Sequence, residues 1–224
     1  MAGTAGRSSC RGGGNEATAV SSPPASRTCV VRVWRALEQM KRVPDECKRG
    51  RLVRKMQHVP SRGYVTDPHP NYYALLEWLG GQWPGKTLVE LGTYFGASAA
   101  SLSASCKSPI ISVDCMDYLD NSLRKLPGVT FVVEDALDWL ETNTELIQEC
   151  PLVFLDVSHD GWTEGQIVAA LDAAGFQGIL LLDDIHLNEP MRRFWQSITR
   201  PKLDLTAIGH HSGTGAVLFE RSES

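Results

Sequence analysis

Six carboxylates stand at or beside the ends of apolar, strand-like runs. They are Glu90 in LVELGTYFGAS, Asp114 after PIISV, Asp135 after VTFVVE, Asp156 after LVFL, and the pair Asp183 and Asp184 after GILLL. Glu90 leads into a turn bounded by Gly92 and Gly96, which continues as a small-residue segment able to form a helix. A strand, a tight turn and a helix opening let backbone donors approach an anionic group. With Asp114 and Asp135 at the ends of the next two runs, the pattern points to an adenosine-type ligand. Asp156, Asp183 and Asp184 supply hard oxygen donors of the kind that hold Mg²⁺ or a similar ion together with water and substrate oxygens. Brought close, they would raise one another's pKa, and a bound cation would relieve the repulsion.

The elements that must position these acids follow from the apolar pattern. Strand-like runs occur at 87–91, 109–113, 129–133, 152–155 and 178–182, separated by helix-compatible stretches such as 97–106 and 167–174. Continuous apolar strands alternating with helices predict a parallel sheet covered on both faces. Two further runs, 203–208 and 215–219, flank the turn-prone HHSGTG and predict a closing hairpin. The expected fold is therefore α/β: a Rossmann-like, doubly wound, mainly parallel seven-stranded sheet with a C-terminal antiparallel hairpin. Ligands of such sheets bind outside the carboxyl ends of the strands, so Asp156, Asp183 and Asp184 should face one crevice. Neighbours on a strand point to opposite faces, however, so Asp183 and Asp184 can share an ion only if the strand ends between them.

A chain of 224 residues with 42% hydrophobic content suits one domain plus an appendage. No run approaches the ~18 apolar residues of a membrane span. Six scattered cysteines without CxxC spacing predict reduced thiols, an intracellular and cytoplasmic setting, and core positions for Cys106 and Cys115. The net charge of -4 divides into +8 over residues 1–57 and -12 over residues 58–224. So acidic a domain makes nucleic acid an unfavourable partner and suits small, neutral or cationic substrates. Residues 1–29 read as a disordered or organelle-targeting segment. Residues 30–59 read as a basic helical extension, two short helices broken near Pro44, with Val31, Trp34, Leu37 and Met40 on the first and Leu52, Val53 and Met56 on the second. It is either a brace on the domain or a tether making peripheral contact with an anionic membrane surface. Residues 60–224 form the ligand-binding domain. Oligomeric state is not legible.

From about residue 64 to 219 the chain resembles the class I S-adenosylmethionine-dependent methyltransferases. Within them it is similar to the metal-dependent catechol-type and the small-molecule and sugar O-methyltransferase families. The resemblance is carried by ELGTYFGAS (90–98), ISVD (111–114), VVEDA (132–136), VFLDVSHD (153–160) and GILLLDDIH (178–186). It implies S-adenosylmethionine as methyl donor. Glu90 would lie beneath the methionine end, Gly92 and Gly96 would admit the ligand to the backbone, and Ser98 would bond its carboxylate. Asp114 would accept the ribose hydroxyls, and Asp135, with Ala136 behind it, would meet the adenine amino group. It further implies a divalent cation held by Asp156, Asp183 and Asp184, and a small-molecule hydroxyl as acceptor.

Two departures bear on mechanism. The family often has Asn where Asp184 stands, and the catechol-type enzymes have Lys where His159 stands, which favours the broader small-molecule or sugar branch. His159 and His186 are the candidate bases, or else hydrogen-bonded supporting residues. His210 and His211 read as surface residues. Each cofactor acid could instead be a helix cap or loop ion pair, and Asp184 could pair with Arg192 or Arg193 or orient His186. Trp162, Trp195 and Tyr73 read as pocket lining or core. A nicotinamide site needs small residues where Tyr94 and Phe95 stand. A hydroxylase on the same scaffold, or a non-catalytic S-adenosylmethionine-binding module, is the other reading.

Overall fold

The computed structural model describes residues 27–41, 70–119 and 121–220. The second basic helix and most of the 1–29 segment lie outside the described residues. The apolar runs pair side by side as β1 (Leu88–Leu91), β2 (Ile110–Asp114), β3 (Val129–Val133), β4 (Leu152–Leu155) and β5 (Ile179–Asp183), all parallel. The last two strands, β6 (Lys202–Asp204) and β7 (Thr214–Leu218), are antiparallel. The order across the sheet is β3-β2-β1-β4-β5-β7-β6, so β7 inserts between β5 and β6. The run expected at 203–208 leaves the sheet after Asp204, whose Oδ1 accepts the Thr206 N–H (3.0 Å) and O–H (2.6 Å) and turns the chain.

Seven helices are described: α1 (Arg27–Lys41), α2 (Pro70–Gly80), α3 (Ala97–Ser103), α4 (Ala136–Thr142), α5 (Thr144–Glu149), α6 (Trp162–Ala174) and α7 (Glu189–Ser197). Alternation along the strands sorts side chains between two cores. Val89, Leu91, Val153, Leu155, Leu180 and Leu182 pack with the helices α4 to α7. Leu88, Leu152, Phe154, Ile179 and Leu181 pack with α1 and α2. By the same period of two, Glu90 follows Leu88 and Asp183 follows Leu181 onto the α1–α2 face. That parity explains why both acids are buried.

The first basic helix begins at Arg27, inside the stretch expected to be unstructured, and buries Val30, Val33, Trp34 and Leu37 in one core with Tyr72, Leu203 and Leu205. Through these four side chains α1 is packed on the domain. Leu37→Ala is expected to lower unfolding stability by about 2–5 kcal/mol in a denaturant titration. An unchanged midpoint would mean that α1 is an appendage. Cys106 and Cys115 are exposed rather than core, because each lies just beyond the end of the element preceding it, α3 and β2. Among the described residues no helix is long and apolar enough to cross a membrane.

Candidate active site

The turn after β1 is built around Asp114. Its Oδ2 accepts the N–H groups of Thr93 (2.9 Å) and Tyr94 (2.8 Å), and its Oδ1 accepts that of Met116 (3.0 Å). Gly92 sits at φ 101°, and a Cβ there would lie 1.7 Å from the Asp156 carbonyl oxygen. This turn therefore touches the end of β4. Gly96 opens α3 and Ser98 lies in its first turn.

Glu90 is fully buried. Its Oε2 accepts the Ser112 hydroxyl, while Oε1 accepts no hydrogen bond among the described residues. Burial pushes its carboxyl up to about 8, against the opposing pull of the Ser112 and Ser98 hydroxyls. In the unfolded chain this group titrates near its ordinary 4.5, so its contribution to stability is fully present below that pH and is lost as pH rises through 8. Glu90→Gln should therefore flatten the alkaline loss of stability by up to ~4 kcal/mol between pH 5 and 9, read by thermal melts across that range. An unaltered profile would contradict the burial argument.

Asp135 is exposed and caps α4, its Oδ1 accepting the N–H groups of Leu137 (2.8 Å) and Asp138 (3.4 Å). Ala136 is the first residue of that helix. The helix-cap role weighed for this acid is thus present.

At the ends of β4 and β5 the carboxylates meet histidines. His159 Nε2 lies 2.9 Å from Asp156 Oδ1 and 3.2 Å from Asp184 Oδ2. His210 Nδ1 lies 3.1 Å from Asp184 Oδ1 and 3.6 Å from Asp183 Oδ1. Strand β5 ends at Asp183, and Asp184 takes a left-handed conformation (φ 58°), which brings neighbouring carboxylates to one site. The Tyr72 hydroxyl, from α2, donates to Asp183 Oδ2 at 2.9 Å. Burial, then the charges of Asp156 and Asp184, push Asp183 up to about 8. Arg192 and Arg193 bond Glu189, not Asp184.

His159 is also held in a left-handed conformation (φ 56°). Glu164, itself buried, accepts the backbone N–H of His159 and of Gly161, both at 2.7 Å, and the Asn188 side chain donates to the His159 carbonyl at 2.8 Å. The hydrogen bond with Asp156 raises the His159 pKa, against a lowering by burial. His186 is not among the groups gathered at the three carboxylates: its ring bonds Asp204 Oδ2 at 2.9 Å, and its backbone N–H donates to the Ser212 carbonyl.

Four residues escaped the sequence reading. His210 was expected on the surface but is largely buried against Asp183 and Asp184, while His211 is exposed as expected. Tyr72, Glu164 and Ser212, whose hydroxyl donates to Asp184 Oδ1, had no assigned role. The glutamate two residues after an exposed Trp162, with Gly161 before it, is a helix-start signal that would have found Glu164. Trp195 is core and Tyr73 packs against the core; Trp162 is 72% exposed, beside the His159 loop.

No protein-family model and no curated protein matches the chain. Solved structures match it in fold. It is similar to the O-methyltransferase TomG of Streptomyces achromogenes, involved in tomaymycin synthesis and solved with S-adenosylmethionine. The identity is 15%, covering 85% of this chain and 96% of that one, with a TM-score of 0.51. It is also similar to the Podospora anserina methyltransferase PaMTH1, solved with S-adenosylhomocysteine, at 18% identity over 89% of this chain and 99% of that one, with a TM-score of 0.50. The cofactor-bound protein Rv0187 from MTB gives 17% identity, 84% and 97% coverage, and a TM-score of 0.52. At such identities the likeness is one of architecture: the chain has the Rossmann-like α/β fold of S-adenosylmethionine-dependent methyltransferases.

Proposed function

We propose that this protein is an S-adenosylmethionine-dependent O-methyltransferase, assisted by a divalent cation and acting on a hydroxyl of a small molecule. One observation carries the reading. The Gly92 backbone lies against the Asp156 carbonyl, so the turn organised by Asp114 and the cluster of Asp156, His159 and Asp184 are neighbours at the carboxyl ends of the parallel strands. A donor and an acceptor bound there would meet.

The residues fit both groups. Glu90 Oε1, buried without a hydrogen bond among the described residues, suits the cationic methionine end of the cofactor. Asp114, after taking three backbone donors, keeps one of about four lone-pair positions for a ribose hydroxyl. Asp135, capping α4 through Oδ1, leaves Oδ2 for the adenine amino group. Asp156, Asp183 and Asp184 are a set of oxygen donors whose mutual repulsion a cation would relieve. S-adenosylmethionine, when bound, supplies an electrophilic methyl group, and a divalent cation, when bound, lowers the pKa of the acceptor hydroxyl. As the neutral tautomer with its proton on Nδ1, His159 would take the acceptor proton at Nε2 and hold it against Asp156 Oδ1, while Glu164 and Asn188 fix the backbone that carries the ring.

The test is incubation with S-adenosylmethionine, a divalent cation and a panel of hydroxylated small molecules, with products followed by mass spectrometry. Expected is a methyl ether formed together with S-adenosylhomocysteine, and loss of both on chelation. Cofactor binding without turnover on any acceptor would favour a non-catalytic module. Oxygen-dependent hydroxylation would overturn the transfer reading.

A further inference from the structure

The β6–β7 loop carries His210 over the end of β5 because β7 inserts between β5 and β6, with Thr214 in register with Asp183. The His210 N–H of the backbone is fixed by the Thr214 hydroxyl (2.8 Å), and the ring packs on Tyr72, centroid to centroid 5.2 Å. His210 Nδ1, Asp184 Oδ1 and Asp183 Oδ1 then converge, with the Ser212 hydroxyl, which donates to Asp184 Oδ1, 2.6 Å from Nδ1. Ser212 thus serves Asp184 Oδ1 and Nδ1, and Asp183 Oδ1 is the atom left without a donor among the described residues.

A proton on Nδ1 reaches Ser212 Oγ at 2.6 Å and Asp184 Oδ1 at 3.1 Å but not Asp183 Oδ1 at 3.6 Å, a separation too long for a hydrogen bond. Asp183 is only 5% exposed, its Oδ2 is taken by Tyr72, and its Oδ1 accepts no hydrogen bond among the described residues. Two donors each about 2.1 Å from a shared ion lie roughly 3.0–3.5 Å apart at octahedral to tetrahedral angles. The observed separation of 3.1 Å falls within that range, and that of 3.6 Å lies just beyond it.

We infer that His210 Nδ1 joins Asp183 and Asp184 as a nitrogen ligand, so that this site takes a divalent transition ion that accepts imidazole, of the Co²⁺ or Zn²⁺ class, in preference to Mg²⁺. This rests on the cation-assisted reading and narrows it. Carboxylates alone suit Mg²⁺, whereas imidazole adds affinity for later first-row ions and little for Mg²⁺. Tyr72 contributes by holding Oδ2, which leaves Oδ1 turned toward His210.

The experiment is calorimetric titration of the full chain with Co²⁺ and with Mg²⁺, alongside His210→Asn, whose amide occupies the place of Nδ1. The wild type should bind Co²⁺ about a hundredfold or more tighter than Mg²⁺, and His210→Asn should lose about tenfold or more in Co²⁺ affinity with Mg²⁺ little changed. The Co²⁺ visible absorption of the wild type should shift in the variant. Co²⁺ affinity and spectrum unaffected by His210→Asn would overturn this inference alone. Equal affinity for the two ions in the wild type would overturn it even if the variant fails to fold. Absence of binding by either ion would overturn the cation-assisted reading with it, while S-adenosylmethionine binding, measured in parallel, would stand independently.

Discussion

Substituting His159 with asparagine is expected to lower the turnover number of methyl transfer by about 10²–10⁴-fold while leaving S-adenosylmethionine affinity within about threefold. The expectation follows from where the ring is and from what keeps it there. His159 Nε2 bridges Asp156 Oδ1 and Asp184 Oδ2, and its backbone is fixed by Glu164 and Asn188 in a left-handed conformation that histidine seldom adopts. Such a conformation persists only where surrounding bonds hold it, and here a buried carboxylate does so. The proton acceptor and the two aspartates thus form one unit. Removal of the imidazole takes away the proton acceptor that contacts Asp156 Oδ1 and Asp184 Oδ2. Steady-state kinetics with saturating cofactor would read the effect. A fall of less than about fivefold would assign the proton to another group.

Gly92→Ala is expected to abolish measurable cofactor binding and to destabilise the fold by about 3 kcal/mol or more. The added Cβ would lie 1.7 Å from the Asp156 carbonyl oxygen, at a φ of 101° that a side chain resists independently. The ends of β1 and β4 would have to separate, moving the Asp114-centred turn and the Asp156 carboxylate together. Gly85→Ala is the matched control: it also has positive φ (75°), but its Cβ would meet nothing within 4 Å. That change should cost only about 1 kcal/mol and leave cofactor affinity intact. Equal effects of the two substitutions in thermal melts and cofactor titration would show that backbone conformation, not the contact with Asp156, governs the site.

Much of this arrangement was legible because strands buried on both faces read as unbroken apolar runs. The acids that close those runs at Asp114, Asp156 and Asp183 fall at the carboxyl ends of the strands by topology alone. The sharing of one site by Asp183 and Asp184 was legible as a condition, and the strand end and left-handed Asp184 satisfy it. His210 was not legible. Its loop reads as a polar hairpin tip, and only the insertion of β7 between β5 and β6 folds that tip over the acids, a pairing order that strand periodicity does not encode. Tyr72 contacts Asp183 across 111 residues of chain, and helical phase, not residue type, separates it from the neighbouring Tyr73. His186 shared with His159 a spacing of three from an aspartate, yet its ring bonds Asp204.

The central claim is most directly tested by calorimetric titration of the full chain with S-adenosylmethionine, beside Asp114→Ala. The account predicts one site of micromolar affinity in the wild type and a loss of about a hundredfold or more in the variant, since both the diol acceptor and the organiser of the Thr93–Tyr94 turn are removed together. No binding by the wild type, or equal binding by the two proteins, would contradict it.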